Sequence, residues 1–176
     1  MNGSYDGVSD IAFEKRGDRT VLTNRFRSGN SRISALIPTE DDIPLYFLVA
    51  TGGGFIEGEK YYNVATLERE AHAVLTTQTP NYIYKCPNSK TTSQLNEVTV
   101  KENAFLEYYI DEVIPYEDAI YYQKTFVDVK KGGSLILTDG LTAGWSKSDT
   151  PFLYNRVDLK TRILYDNELV FNDYLI

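Results

Sequence analysis

Apolar and polar residues alternate with a period of two along most of this chain. In YYQKTFVDVK, residues 121–130, Thr125, Val127 and Val129 share one face while Lys124, Asp128 and Lys130 share the other. Successive side chains of a strand point to opposite sides of a sheet, so the pattern predicts a half-buried strand. LEYYI (106–110), SLILTD (134–139) and HAVLTTQ (72–78) are likewise short, rich in β-branched or aromatic residues, and bounded by Gly, Asn, Pro or charge. The best helical window, TLEREAHAVL (66–75), holds no sustained 3.6-residue period, and from Ala71 onward its apolar positions alternate. Nearly the whole chain reads as strand.

VTVK at Val98, VDVK at Val127 and VDLK at Val157 start 29 and 30 residues apart. The first two are each followed by a turn and another strand, FLEYY or LILTD. Recurrence on that scale is what stacked strand–turn–strand units produce. No linker, low-complexity tract or compositional break interrupts residues 1–176, which are read as a single domain. ELVFNDYLI at the C-terminus stops inside an apolar, strand-like pattern. A strand over 170–176 would be an unpaired edge, so the domain is expected to be truncated there.

Composition narrows the function. A chain of 176 residues buries roughly 70 % of its unfolded surface, and 42 % hydrophobic residues supply a sizeable core. Eighteen basic against 25 acidic side chains leave a charge of −7, which opposes phosphate binding, so no nucleic-acid partner is expected. The longest apolar run, IPLYFLVA (43–50), is far shorter than a membrane span, and MNGSYDGVSD lacks a signal-peptide pattern. The expectation is a cytoplasmic protein with no membrane partner. Cys86 and His72 are each the only residue of their type. One thiol and one imidazole cannot build a tight zinc or nickel site, and a Ser or Cys triad has no material either. The chain is therefore expected not to be an enzyme, and to hold no cofactor tightly. Nickel, if handled, would meet carboxylates weakly or at an interface.

The stretch TGGGFIEGEK (51–60) lacks the Gly-Lys-Ser/Thr of a phosphate loop, and no helix pattern follows it. Gly52, Gly53, Gly54 and Gly58 are read as a structural turn after the strand PLYFLVA. Glu57 and Glu59 are two apart, so in an extended chain they share a face, separated by about 6.6 Å of rise. That spacing suits cation binding or glycosidase chemistry, and equally a solvated strand face. Asp111-Glu112 and Glu117-Asp118 flank VIPY and Asp139 follows SLILT; these carboxylates are read as solvated turns. The tyrosine doublets 61–62, 108–109 and 121–122 each send one ring to either face of a strand, which leaves one ring for packing and one for contact with a partner.

Four segments in order resemble the urease accessory protein UreD family, also called UreH: GGGFIEGEK, HAVLTTQTPNYIYK, AFLEYYIDEVIPYEDAIYYQ and SLILTDGLTAGWSKSDTPF. The chain departs from the family pattern at Glu59, where Asp is common, at Glu112, where Pro is usual, and at Asp149-Thr150, where Gly-Glu is frequent. The family also runs on past Ile176. The resemblance implies an all-β fold, a β-helix-like stack of mixed, largely antiparallel sheets, with a β-sandwich as the alternative. It implies a non-enzymatic chaperone that binds apo-urease and recruits UreF and the GTPase UreG for nickel insertion and metallocentre maturation. On this view Glu57, Glu59, Gln78, Asp111, Gln123 and Asp139 line a partner surface or an ion path, with nickel passing only transiently. The competing expectation is a carbohydrate-active or carbohydrate-binding β-solenoid, which needs two carboxylates in one cleft roughly 5–9.5 Å apart.

Overall fold

Fourteen strands and no helix make up residues 4–176, the part described by the computed structural model. In chain order they are β1 (Gly7–Arg16), β2 (Arg19–Gly29), β3 (Ser31–Ile33), β4 (Leu45–Ala50), β5 (Lys60–Leu67), β6 (His72–Thr77) and β7 (Asn81–Ile83). Then follow β8 (Thr92–Val100), β9 (Phe105–Tyr109), β10 (Val113–Pro115), β11 (Ile120–Val129), β12 (Ser134–Thr138), β13 (Arg156–Tyr165) and β14 (Glu168–Leu175). Among the described residues no helix is long and apolar enough to cross a membrane.

The chain winds as a β-helix. Each coil places one strand in a five-stranded sheet (β12-β9-β6-β4-β3), a short segment in a two-stranded sheet (β10-β7), and one strand in a seven-stranded sheet (β14-β13-β11-β8-β5-β1-β2). Where the short sheet has no strand, Phe55 bridges to Ile83 and Leu141 to Val113 in its place. The register is shared by the sheets: Tyr61 lies opposite Gln94 and His72 opposite Phe105, a step of 33 residues in both. The next coil steps 29 in both, from Gln94 to Gln123 and from Phe105 to Ser134. Val98 and Val127 are therefore true structural equivalents. Val157 is not the third: it lies opposite Tyr121, and Val127 faces Ile163. The longer connection between β12 and β13 displaces β13.

The expected preponderance of antiparallel pairing is corrected. Among the described residues, only β1–β2, β3–β4 and β13–β14 pair antiparallel, and the other named pairings are parallel. Alternation of side chains reports burial and carries no strand direction, whereas a coiling chain returns each strand in the same sense. The sandwich alternative fails for the same reason, since sheet neighbours are one coil apart.

Corners repeat as well. Glu70, Asn103 and Gly132 all take positive φ (60°, 56° and 76°) between the seven- and five-stranded sheets, at the same 33- and 29-residue steps. Gly58, Ser89, Asp118 and Asp149 do so (81°, 57°, 62° and 55°) at the corners preceding β5, β8 and β11 and in the loop before β13. A left-handed residue in each coil ends any helical tendency of TLEREAH, because L residues visit that region singly.

Two hydrophobic clusters fill the coil. The larger packs Ile11, Phe13, Leu67 and Val100 against Leu75 and Leu106; the smaller gathers Phe55, Ile83, Val113, Tyr121 and Val157. Each large aliphatic side chain buried this way contributes about 1.5–3 kcal/mol. The tyrosine doublets behave as alternation requires: Tyr61, Tyr108 and Tyr121 are buried, while their neighbours Tyr62, Tyr109 and Tyr122 face outward.

Candidate functional site

Between the two clusters runs a seam of polar side chains. Ser9, Asn63, Asn96, Thr125 and Thr161 occupy one register line across β1, β5, β8, β11 and β13, all on the inner face. Tyr61, Gln94 and Gln123 form the adjacent line. Parallel strands in register bring equivalent side chains within hydrogen-bonding reach, since neighbouring strands lie about 4.8 Å apart. Ser9 Oγ donates to Asn63 Oδ1 (2.6 Å), Asn63 Nδ2 to Asn96 Oδ1 (3.0 Å), and Asn96 Nδ2 to Thr125 Oγ1 (3.1 Å). Gln94 Nε2 also donates to Asn96 Oδ1 (2.9 Å). Asn96 is 0 % exposed. Burying such groups is tolerable only because each finds a partner.

A carboxylate stands at either side of the seam, each with its own group of hydrogen bonds separate from the Ser9–Thr125 chain. At the β5 corner, Glu59 accepts from Tyr61 OH (2.9 Å), Asn30 Nδ2 (2.9 Å) and Ile56 N (3.0 Å). Nearby, a cavity of about 30 Å³ lies among Ser9, Ser31, Tyr61, Asn63, Thr77 and Gln94, room for a single water. At the far side, Tyr121 OH donates to Gln123 Oε1 (2.9 Å), and Gln123 Nε2 to Asp139 Oδ1 (3.2 Å). Asp139 also accepts from Thr161 Oγ1 (3.0 Å) and Gly140 N (2.9 Å). Asp139 opens onto a groove of about 390 Å³ whose walls are Leu135, Leu137, Leu159, Ile163, Phe171 and Leu175, with Asp173 on the same groove.

Of the residues singled out in the sequence, Glu59, Gln123 and Asp139 thus lie on this seam. Asp111 is one step removed: its carboxylate accepts from Thr77 Oγ1 (2.9 Å), and Thr77 lines the small cavity. Gln78 is exposed in the loop after β6. Glu57 does not share a face with Glu59, because the turn at Gly58 directs them apart. Its carboxylate accepts from Asn88 N, Asn88 Nδ2 and Lys90 N (2.8, 2.8 and 2.9 Å), tying the first corner to the next. Ser9, Asn63, Gln94, Asn96, Thr125 and Thr161 were missed. Their signal was polar residues on the buried phase of alternating strands, offset by one coil.

His72 sits outside the seam, stacked on Phe105 and bonded through Nε2 to Glu107 Oε1 at 2.8 Å. The hydrogen bond from Tyr109, with the contribution of His72, holds Glu107 below the ordinary carboxylate value. Groups of three or more His, Cys, Asp or Glu suited to a metal ion are absent among the described residues. The chemistry the seam offers is neutral amide and hydroxyl oxygen bounded by carboxylates, a donor set that suits hard cations and water.

Asp139 is pushed above the ordinary carboxylate value, first by burial against the groove wall and further by Asp173, against the opposing bonds from Thr161, Gly140 and Gln123. A raised folded value means the folded chain binds more protons than the unfolded one. Stability from this group is therefore present below the ordinary carboxylate value and declines as pH rises through the raised one. Asp139→Asn should flatten that decline, read as urea midpoints across the acid range. An unchanged slope would remove Asp139 as its source.

The family model described as UreD urease accessory protein matches residues 5–176. The urease accessory protein UreD of Streptococcus thermophilus (strain CNRZ 1066) is 44 % identical over 173 residues, covering 98 % of this chain and 62 % of the relative. Those of Lachnoclostridium phytofermentans and Staphylococcus aureus (strain bovine RF122 / ET3-1) are 32 % and 33 % identical over 173 residues, covering 98 % of this chain and 63 % and 62 % of theirs. The chain spans less than two thirds of the length of these relatives.

Proposed function

The chain belongs to the UreD urease accessory protein family, and from that premise we propose that it serves urease maturation in the cytoplasm as a non-enzymatic docking scaffold. It binds apo-urease and assembles with UreF and the GTPase UreG while nickel is inserted. The observation that carries this reading is the match over residues 5–176, together with a fold whose outward faces are broad sheets.

The polar seam gives the scaffold a second part. Glu59, Gln123 and Asp139 would bracket a route by which water or a nickel ion passes between the two apolar clusters, held by oxygen ligands weakly enough to be released. The route is closed by its own hydrogen bonds, so passage requires the amide side chains to exchange partners.

Co-expression with urease subunits, UreF and UreG, followed by affinity capture of this chain and metal analysis of the urease, tests both parts. Retention of the urease subunits supports the scaffold; capture of this chain alone rejects it. Gln123→Leu paired with Asp139→Asn should leave capture intact and lower urease nickel severalfold, whereas undiminished nickel would remove the seam from the mechanism.

A further inference from the structure

The two terminal strands β2 and β3 carry a charge opposite to that of the whole chain. Residues 15–32 hold six of the 18 Lys and Arg but one of the 25 acidic side chains, in a protein of charge −7. Lys15 and Arg16 end β1, and the other four cations lie on β2 and β3, the terminal strands of the seven- and five-stranded sheets. Lys15, Arg16 and Arg19 are engaged by Asp18 O, Glu14 and Asp42. Arg25, Arg27 and Arg32 form no ion pair among the described residues. Arg32 is bonded only to the carbonyls of Gly29 and Ser31.

Register fixes where the free guanidiniums point. Arg25 lies opposite Ile11 and Arg27 opposite Ser9, so both are on the inner side of the sheet at its rim; Asp10, opposite Phe26, is on the other side. Phe26 is 52 % exposed. β2 pairs with β1 along one edge only, leaving a ladder of backbone donors and acceptors on the other.

We propose that this rim docks an acidic, extended segment of a partner protein, which adds as a strand to β2 and places carboxylates on Arg25 and Arg27. Three features are satisfied together: main-chain pairing at an open edge, bidentate carboxylate recognition by arginine, and an aromatic anchor. Cations on an edge strand also discourage self-association. That purpose alone does not account for their concentration here, because β14, the terminal strand at the opposite end of the same sheet, has no Lys or Arg at all.

The test is fluorescence anisotropy of the 176-residue chain with labelled (Glu-Thr)4, against (Glu-Pro)4, which has equal charge but cannot complete a ladder, (Lys-Thr)4 and the oligonucleotide (dT)8. Binding of (Glu-Thr)4 should exceed that of every comparator by about tenfold or more. It should protect the amides of residues 23–28 from hydrogen exchange, weaken about tenfold in R25Q/R27Q, and persist in Lys131→Gln. R25K/R27K, which keeps the charge, should restore part of the affinity if the glutamine pair perturbs folding. No binding of (Glu-Thr)4 leaves edge protection as the only role. Equal binding of (Glu-Pro)4, tighter binding of (dT)8, or indifference to R25Q/R27Q likewise overturns the proposal.

Discussion

Asn96→Leu should destabilise the chain by about 3–5 kcal/mol, a large part of the roughly 5–15 kcal/mol typical of a folded domain. The side chain closes three hydrogen bonds, from Asn63 Nδ2, from Gln94 Nε2 and to Thr125 Oγ1. Leucine abandons all three groups in the interior, and each orphaned group costs about 1–3 kcal/mol, against about 1–2 kcal/mol from the added apolar surface. Replacing three members of the register line together, with Asn63→Leu, Asn96→Leu and Thr125→Val, should cost less per site, because both partners of the Asn63–Asn96 and Asn96–Thr125 bonds go and only Ser9 Oγ and Gln94 Nε2 are orphaned. Urea denaturation of the single and triple variants decides it. A single variant within about 1 kcal/mol of the parent would mean that water readily enters the seam and supplies the missing partners. A polar line that an apolar one could replace at modest cost is retained for some other reason, and a fixed coil register or passage of a polar species both supply one.

Much of the fold is written in local alternation. β11 and β8 reveal themselves because a period of two is unambiguous when one face holds Val127 and Val129, or Val98 and Val100. What alternation does not carry is direction, which explains the wrong preference for antiparallel pairing. The repeat was legible at Val98 and Val127, where the coil step is 29 residues. It misled at Val157, because a four-residue echo has no means of registering the longer loop that precedes β13. The corner residues were invisible for a chemical reason: the same left-handed conformation is met by glycine at Gly58, serine at Ser89 and aspartate at Asp118 and Asp149. The seam was half legible. Gln123 and Asp139 stood out within longer segments, whereas Asn63 and Asn96 look like surface residues until strand pairing turns them inward.

Within the glycine run, Gly54→Val should be far more damaging than Gly52→Ala, by about 3 kcal/mol or more against about 1 kcal/mol. Gly52 has φ +97° but nothing within 4 Å of an added Cβ, so alanine there meets backbone strain alone. At Gly54 the φ is ordinary and the obstacle is space: a Cβ would lie 2.7 Å from Tyr82 O and 2.9 Å from Tyr82 Cβ on the next coil. Tyr82 O is the acceptor for Phe55 N (2.7 Å), and Phe55 O in turn accepts from Tyr84 N (2.9 Å). Pushing the coils apart breaks this bridge and lifts the Phe55 ring from Tyr61, on which it stacks at 3.8 Å. The smaller hydrophobic cluster then loses its first member, and Tyr61 loses the packing that aims its hydroxyl at Glu59. Thermal melting of both variants gives the order directly. Equal losses would show that the glycines serve backbone conformation only, and that the close approach between coils relaxes at little cost.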